Sequence, residues 1–263
     1  MTRRRKSGKS GVFFVILALI AWIGWNMFMS SSQQNASQSP PPLAQEPSPP
    51  PGMPWPYLEE DKQTQVASNL LATNIYIVFD ASGSMGDGGC SGGEAKIRVA
   101  KRAVEEFAKS IPQDTNVGMV VFDRTGTHER VALSPINSAA LSSTVNAINY
   151  GGGTPLTDAM QVGFKALTQQ GKKQLGYGEY HLLVVTDGQA NNSQALNQEV
   201  DKILKYSPVL IHTIGFCIDE NHSLHQPGKT NYSTAKDYES LLQGMRSVLA
   251  EAPSFSVSEF NKE

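Results

Sequence analysis

Asp80, Ser82 and Ser84 occupy alternate positions in Asp80-Ala-Ser-Gly-Ser-Met-Gly86, directly after the apolar run Ile75 to Phe79. One carboxylate and two hydroxyls make an all-oxygen donor set of the kind that holds Mg2+, Ca2+ or Mn2+. The neighbouring glycines allow the backbone to close round an ion. The same residues also read as a solvated Gly/Ser turn after a strand. Two later segments offer further oxygens. Gly151-Gly-Gly-Thr-Pro-Leu-Thr-Asp158 puts Thr154 in a glycine loop, either as a ligand or as a helix N-cap, with Pro155 predicted at the first helical position. Asp187, between Thr186 and Gly188, closes another apolar run, as a ligand or as a turn former.

The elements that must position these groups follow from periodicity. Ile75 to Phe79, Val117 to Phe122, His181 to Thr186 and Leu210 to Phe216 are apolar throughout and read as buried strands. Arg130 to Leu133 reads as a short strand at an edge. Between them, Ile97, Ala100, Val104, Phe107 and Ile111 recur at helical spacing and stop before Pro112. Ser138 is predicted to cap a helix carrying Leu141, Val145 and Ile148. Leu156 to Leu167, Leu196 to Leu204 and Tyr238 to Val248 mark three more helices. Alternating strands and amphipathic helices predict an α/β fold, a doubly wound, mainly parallel sheet with helices on both faces. Such sheets bind ligands beyond the carboxyl ends of their strands, where strand order reverses. Asp80, Asp187 and the loop before Thr154 are all predicted on that edge.

With Asp80-x-Ser82-x-Ser84, Thr154 and Asp187 in this order, Asn69 to Ala250 resembles a von Willebrand factor type A (vWA) domain. The resemblance implies a metal-ion-dependent adhesion site made of those five residues, with Mg2+ as its ion and Mn2+ or Ca2+ as competitors. It further implies that Ser82 and Ser84 bind directly, that Thr154 joins them when a ligand is engaged, and that Asp80 and Asp187 act largely through water. One coordination position is then left for a Glu or Asp of a protein partner. Asp158 is expected to favour its helix N-terminus electrostatically. Asp123, ending a strand on the same edge, is a candidate for supporting the site from behind.

Cys90 and Cys217 both follow predicted strands on the ligand edge, and form either a disulfide in an oxidising compartment or two buried thiols. Asp219, Glu220, His222 and His225 read as a polar loop rather than a transition-metal site. A phosphohydrolase with Asp80 as nucleophile would want an acid two residues on, where Ser82 stands. The Gly-x-Ser-x-Gly elbow fails because Asp80 occupies its first glycine position. Lys6-Ser-Gly-Lys-Ser10 follows no strand and is no phosphate loop. These absences argue against an enzyme; a structural component of an envelope or surface assembly is the alternative to metal-dependent binding.

The flanks differ from the domain. Arg3, Arg4, Arg5, Lys6 and Lys9 mask the acidity of the rest, which carries about −7 of formal charge against a net −2 for the whole chain. An acidic body without a basic cluster argues against nucleic acid as a partner. Residues 1–10 are predicted as a basic cytoplasmic segment and 11–29 as a transmembrane helix, about 28 Å long at 1.5 Å per residue. A cleaved signal peptide is the competing reading, without an Ala-x-Ala site to support it. The placement of Lys and Arg keeps the N-terminus cytoplasmic and exports the rest, as in a bacterial inner-membrane protein facing the periplasm. Residues 30–68, rich in Pro, Ser and Gln, are predicted as a disordered linker, 69–252 as the folded domain and 253–263 as a tail.

Overall fold

Strand β1 (Thr73–Asp80) runs through the middle of the molecule, and all its residues after Thr73 are buried. The computed structural model describes residues 55–57 and 64–250. On one side β1 pairs in parallel with β2 (Asn116–Asp123), on the other with β4 (Glu179–Thr186). β5 (Leu210–Phe216) and β6 (Asn231–Ala235) extend the sheet in parallel beyond β4. β3 (Gly126–Pro135) returns antiparallel along β2 as the opposite edge. The order is therefore β3-β2-β1-β4-β5-β6, and its direction reverses between β1 and β4. Asp80 ends β1, and Asp187 follows β4 directly, so both acids stand at the reversal.

Helix α1 (Lys96–Ser110), α2 (Ser138–Ala147) and α5 (Tyr238–Ala250) cover one face. Their core side chains, among them Val104, Phe107, Leu141 and Leu241, pack on Ile75, Ile77 and Phe79 of β1. α3 (Leu156–Lys173) and α4 (Ser193–Tyr206) cover the other face, where Tyr76 and Val78 meet Leu156, Met160, Leu167, Leu196 and Val200. Successive β1 side chains thus feed two separate cores, which is why the strand is apolar without alternation. Burying each such side chain contributes about 1.5–3 kcal/mol. Tyr76 needs local room: a Cβ on Gly163 would lie 2.6 Å from Leu182 and 2.9 Å from the Tyr76 ring. Its hydroxyl donates to Glu129 Oε1 at 2.7 Å, which satisfies the one polar atom the ring carries inward.

Several boundaries differ from the sequence reading. β3 is ten residues long rather than a short segment around Arg130 to Leu133. β6 occupies what reads as loop, because its residues are polar and mostly exposed at the sheet edge. Asn137, not Ser138, caps α2: its side chain accepts from Ala140 N, while the Ser138 hydroxyl donates to Ala108 O. Pro155 precedes α3 instead of starting it. It is the centre of a tight turn, φ −77° and ψ 58°, closed by Leu156 N donating to Thr154 O at 2.8 Å.

Trp55 and Pro56, within the predicted linker, sit against the domain. The Trp55 ring meets Tyr180 edge-on at 4.7 Å and lies over Gly171, where a Cβ would be 2.4 Å from it. The segments 1–10, 11–29 and 253–263, and most of 30–68, lie outside the described residues. Among the described residues no helix is long and apolar enough to cross a membrane.

Candidate metal centre

The backbone at the end of β1 is clamped to the glycine loop before anything is asked of the side chains. Gly151 N donates to Ala81 O at 2.8 Å, and Gly83 N to Gly152 O at 3.0 Å. Gly151 and Gly152 take φ of 144° and 82°, a region L side chains rarely enter, so the glycines let the loop lie this close. The loop is tied to the third segment through Asn191. Its Oδ1 accepts from Thr154 N and its own N donates to Thr154 O, both at 3.0 Å. The N-cap position of α3 is taken by Pro155 rather than Thr154.

These clamps bring the predicted residues together. Asp80 is fully buried, its Oδ1 accepting from Ser82 N at 2.8 Å and its Oδ2 from the Thr186 hydroxyl at 2.6 Å. Ser82 Oγ and Ser84 Oγ are 3.1 Å apart, and Ser84 Oγ donates to Asp187 Oδ1 at 2.8 Å. Thr154 completes the group: a Cβ on Gly188 would lie 3.6 Å from Thr154 Oγ1 and 3.8 Å from Ser84 Oγ. Three hydroxyls and two carboxylates from three chain segments therefore converge at the strand-order reversal. Burial pushes the Asp80 carboxyl up to about 6, against the hydrogen bonds from Ser82 and Thr186 that favour its ionised form; Asp187 nearby adds to the rise.

Lys96, which the sequence reading did not single out, also enters this group. Its Nζ lies 2.6 Å from Asp187 Oδ2, and the Asp187 side chain is wholly buried. This contact is an ion pair and not a well-aligned hydrogen bond, for Oδ2 has no directed partner. A cation thus already stands on one carboxylate of the group. Among the described residues no three His, Cys, Asp or Glu side chains gather to hold a metal, so hydroxyls must supply the remaining donors. The oxygen-only set of Asp80, Ser82, Ser84, Thr154 and Asp187 fits a hard divalent cation on those terms.

Other candidates have different employment. Asp123 accepts from Thr125 N and Oγ1 and pairs with Arg130 at 2.8 Å. Burial alone would raise its carboxyl, but Thr125 and Arg130 hold it below the ordinary value. Asp158 lies in the first turn of α3. His222 Nε2 meets Gly188 O at 2.9 Å, and Gln189 Nε2 donates to Asn221 O at 2.6 Å, so the loop after β5 braces the segment carrying Asp187. His225 stacks on Tyr232 at 4.8 Å and bonds through Nδ1 to Glu220 O. Cys90 and Cys217 are joined in a disulfide with Cα atoms 5.9 Å apart, tying the loop after the Asp80 motif to the end of β5.

Residues 74–262 match the model of the von Willebrand factor type A domain. The chain belongs to this family. Among its relatives is YwmD of Bacillus subtilis (strain 168), 29% identical over an alignment of 171 residues, with 58% of this chain and 72% of YwmD covered. Among solved structures, the pilus adhesin SpaC from Lactobacillus rhamnosus GG superposes with a TM-score of 0.56 at 16% identity, over 72% of this chain but only 31% of the adhesin. Manganese-loaded TRAP protein of Plasmodium vivax superposes with a TM-score of 0.50 at 22% identity, over 67% of this chain and 72% of TRAP. At these identities the structural likeness concerns the vWA fold.

Proposed function

We propose that this vWA domain binds a protein partner through a divalent cation, with Mg2+ as the ion and Mn2+ or Ca2+ able to replace it. The observation that carries the reading is the convergence of the Ser82, Ser84 and Thr154 hydroxyls with Asp80 and Asp187. Ser82 and Ser84 would hold the ion directly, Thr154 would join them on engagement, and the two carboxylates would act through water. The ion supplies a Lewis-acidic position, and neutral hydroxyls leave much of its charge unspent for a Glu or Asp of the partner. That TRAP of this fold is manganese-loaded and that SpaC is a pilus adhesin both support this reading.

The flanking sequence gives the setting. Residues 11–29 anchor the chain in a membrane, with 1–10 cytoplasmic, 30–68 as a tether that docks on the domain at Trp55, 69–252 as the domain outside, and 253–263 as a tail. A bacterial inner membrane with the domain in the periplasm fits the short basic N-terminus. The test is capture from a membrane extract by the full-length, detergent-solubilised protein in Mg2+ and in EDTA. Proteins retained in Mg2+ should be released by EDTA and lost with Asp80→Ala, while near-UV circular dichroism is unchanged. Equal retention in chelator, or by the folded variant, overturns the reading.

A further inference from the structure

We infer that Lys96 is a built-in competitor for the metal centre, its ammonium holding Asp187 until a divalent ion displaces it. This rests on the metal-binding reading above and adds a residue that sets when the site loads. Lys96 is the first residue of α1, and the positive end of a helix is a poor place for a cation. Yet its side chain is only 12% exposed and its Nζ is 2.6 Å from a carboxylate oxygen with no solvent access. The contact is explained by Asp187: a wholly buried carboxylate needs a compensating charge. The other Asp187 oxygen is held by Ser84, itself a member of the metal group. An ion held by Ser84 and, through water, by Asp187 would therefore lie close to the ammonium, and two cations cannot draw on that one carboxylate without strong repulsion in a water-poor setting.

The geometry permits exchange. Lys96 reaches the site from the rim, on the far end of the loop that runs from the Ser82–Ser84 turn, and its backbone N–H donates to Asp87 O at 3.0 Å. The backbone is held there, so only the side chain has to move. Released, the ammonium swings to solvent at the start of α1. Metal affinity is thereby lowered to the extent that the ion pair must be broken, and Lys96 becomes accessible only in the loaded state.

Two measurements on the full-length protein in detergent test this. Mn2+ titration followed by electron paramagnetic resonance should give a dissociation constant at least tenfold lower for Lys96→Gln than for wild type. Lys96→Arg, which keeps the charge, should stay within about threefold of wild type. Independently, acetylation of Lys96 in the wild-type protein, read by mass spectrometry, should speed up several-fold when Mg2+ is added, with Lys109 as the unresponsive control. If wild type binds Mn2+ but Lys96→Gln binds no tighter, or Lys96 labelling does not rise, the competitor role is overturned and the metal site stands. If neither protein binds Mn2+ at millimolar concentration, the metal site itself falls, and the competitor role with it. Should Lys96→Gln fail to fold, the wild-type labelling decides.

Discussion

The Ser84 hydroxyl donates to Asp187 Oδ1 across 2.8 Å, joining positions 103 residues apart. This bond makes the centre a tertiary object: neither segment has the other's oxygen without the whole sheet between them. Ser84→Ala should weaken Mg2+ binding at least a hundredfold by isothermal titration, and cost about 1–3 kcal/mol in stability through the lost partner of a buried carboxylate.

Metal binding should also fall with acid. The Asp80 carboxyl is pushed up to about 6, and an ion bound as proposed would need it ionised. Below pH 6 the apparent Mg2+ affinity is expected to drop about tenfold per pH unit. Affinity that stays flat from pH 7 to 5 would place Asp80 outside the binding event.

Stability against pH carries two opposed contributions. Burial, with His181 beside it, lowers His212 to about 4 from an ordinary 6.5. The unfolded chain then binds more protons between pH 6.5 and 4, so stability is lost as pH falls through that window, by about 3 kcal/mol. Asp80 acts in reverse: its raised value makes the folded state bind the extra proton between about 4 and 6, so stability is lost as pH rises there. In EDTA, denaturation of wild type between pH 6.5 and 4.5 should therefore show partial cancellation. Asp80→Asn should expose the His212 loss by falling more steeply on acidification.

The disulfide closes a long loop, Cys90 and Cys217 standing 127 positions apart in sequence. Constraining that loop in the unfolded chain is worth about 2–5 kcal/mol on chain-entropy grounds. Cys90→Ser with Cys217→Ser should lower the melting temperature accordingly, as should a reductant on wild type but not on the double variant.

Gly163→Ala tests the packing behind the site. The new methyl would press on Leu182 and the Tyr76 ring, which is pinned through Glu129. An expected loss of about 1–3 kcal/mol, with Mg2+ affinity unchanged in the folded fraction, would mark the glycine as a matter of room rather than of binding.

Much of this was legible because buried parallel strands leave an unmistakable trace. Ile75 to Phe79 and His181 to Thr186 are buried on both faces, and each run is followed by an acid at the carboxyl edge. The edge strands left no such trace. β6 pairs with β5 through its backbone while most of its side chains face water, so composition says loop. Pro155 misleads by a residue because proline fixes φ but not ψ, and here ψ is 58°. Asn191, Thr186 and Lys96 belong to the centre only through contacts across the sheet, and spacing along the chain carries no sign of them.

The docked Trp55 gives the domain a mechanical direction. The chain ahead of β1 is fastened at the strands' starting ends, where Trp55 lies on Tyr180 and Gln174 Nε2 donates to Leu70 O and Ala72 O. Asp80 lies at the finishing end of the same strand. A load applied between a guest at Asp80 and the chain upstream would run lengthwise through β1, shearing its ladders to β2 and β4 together rather than peeling them open one rung at a time.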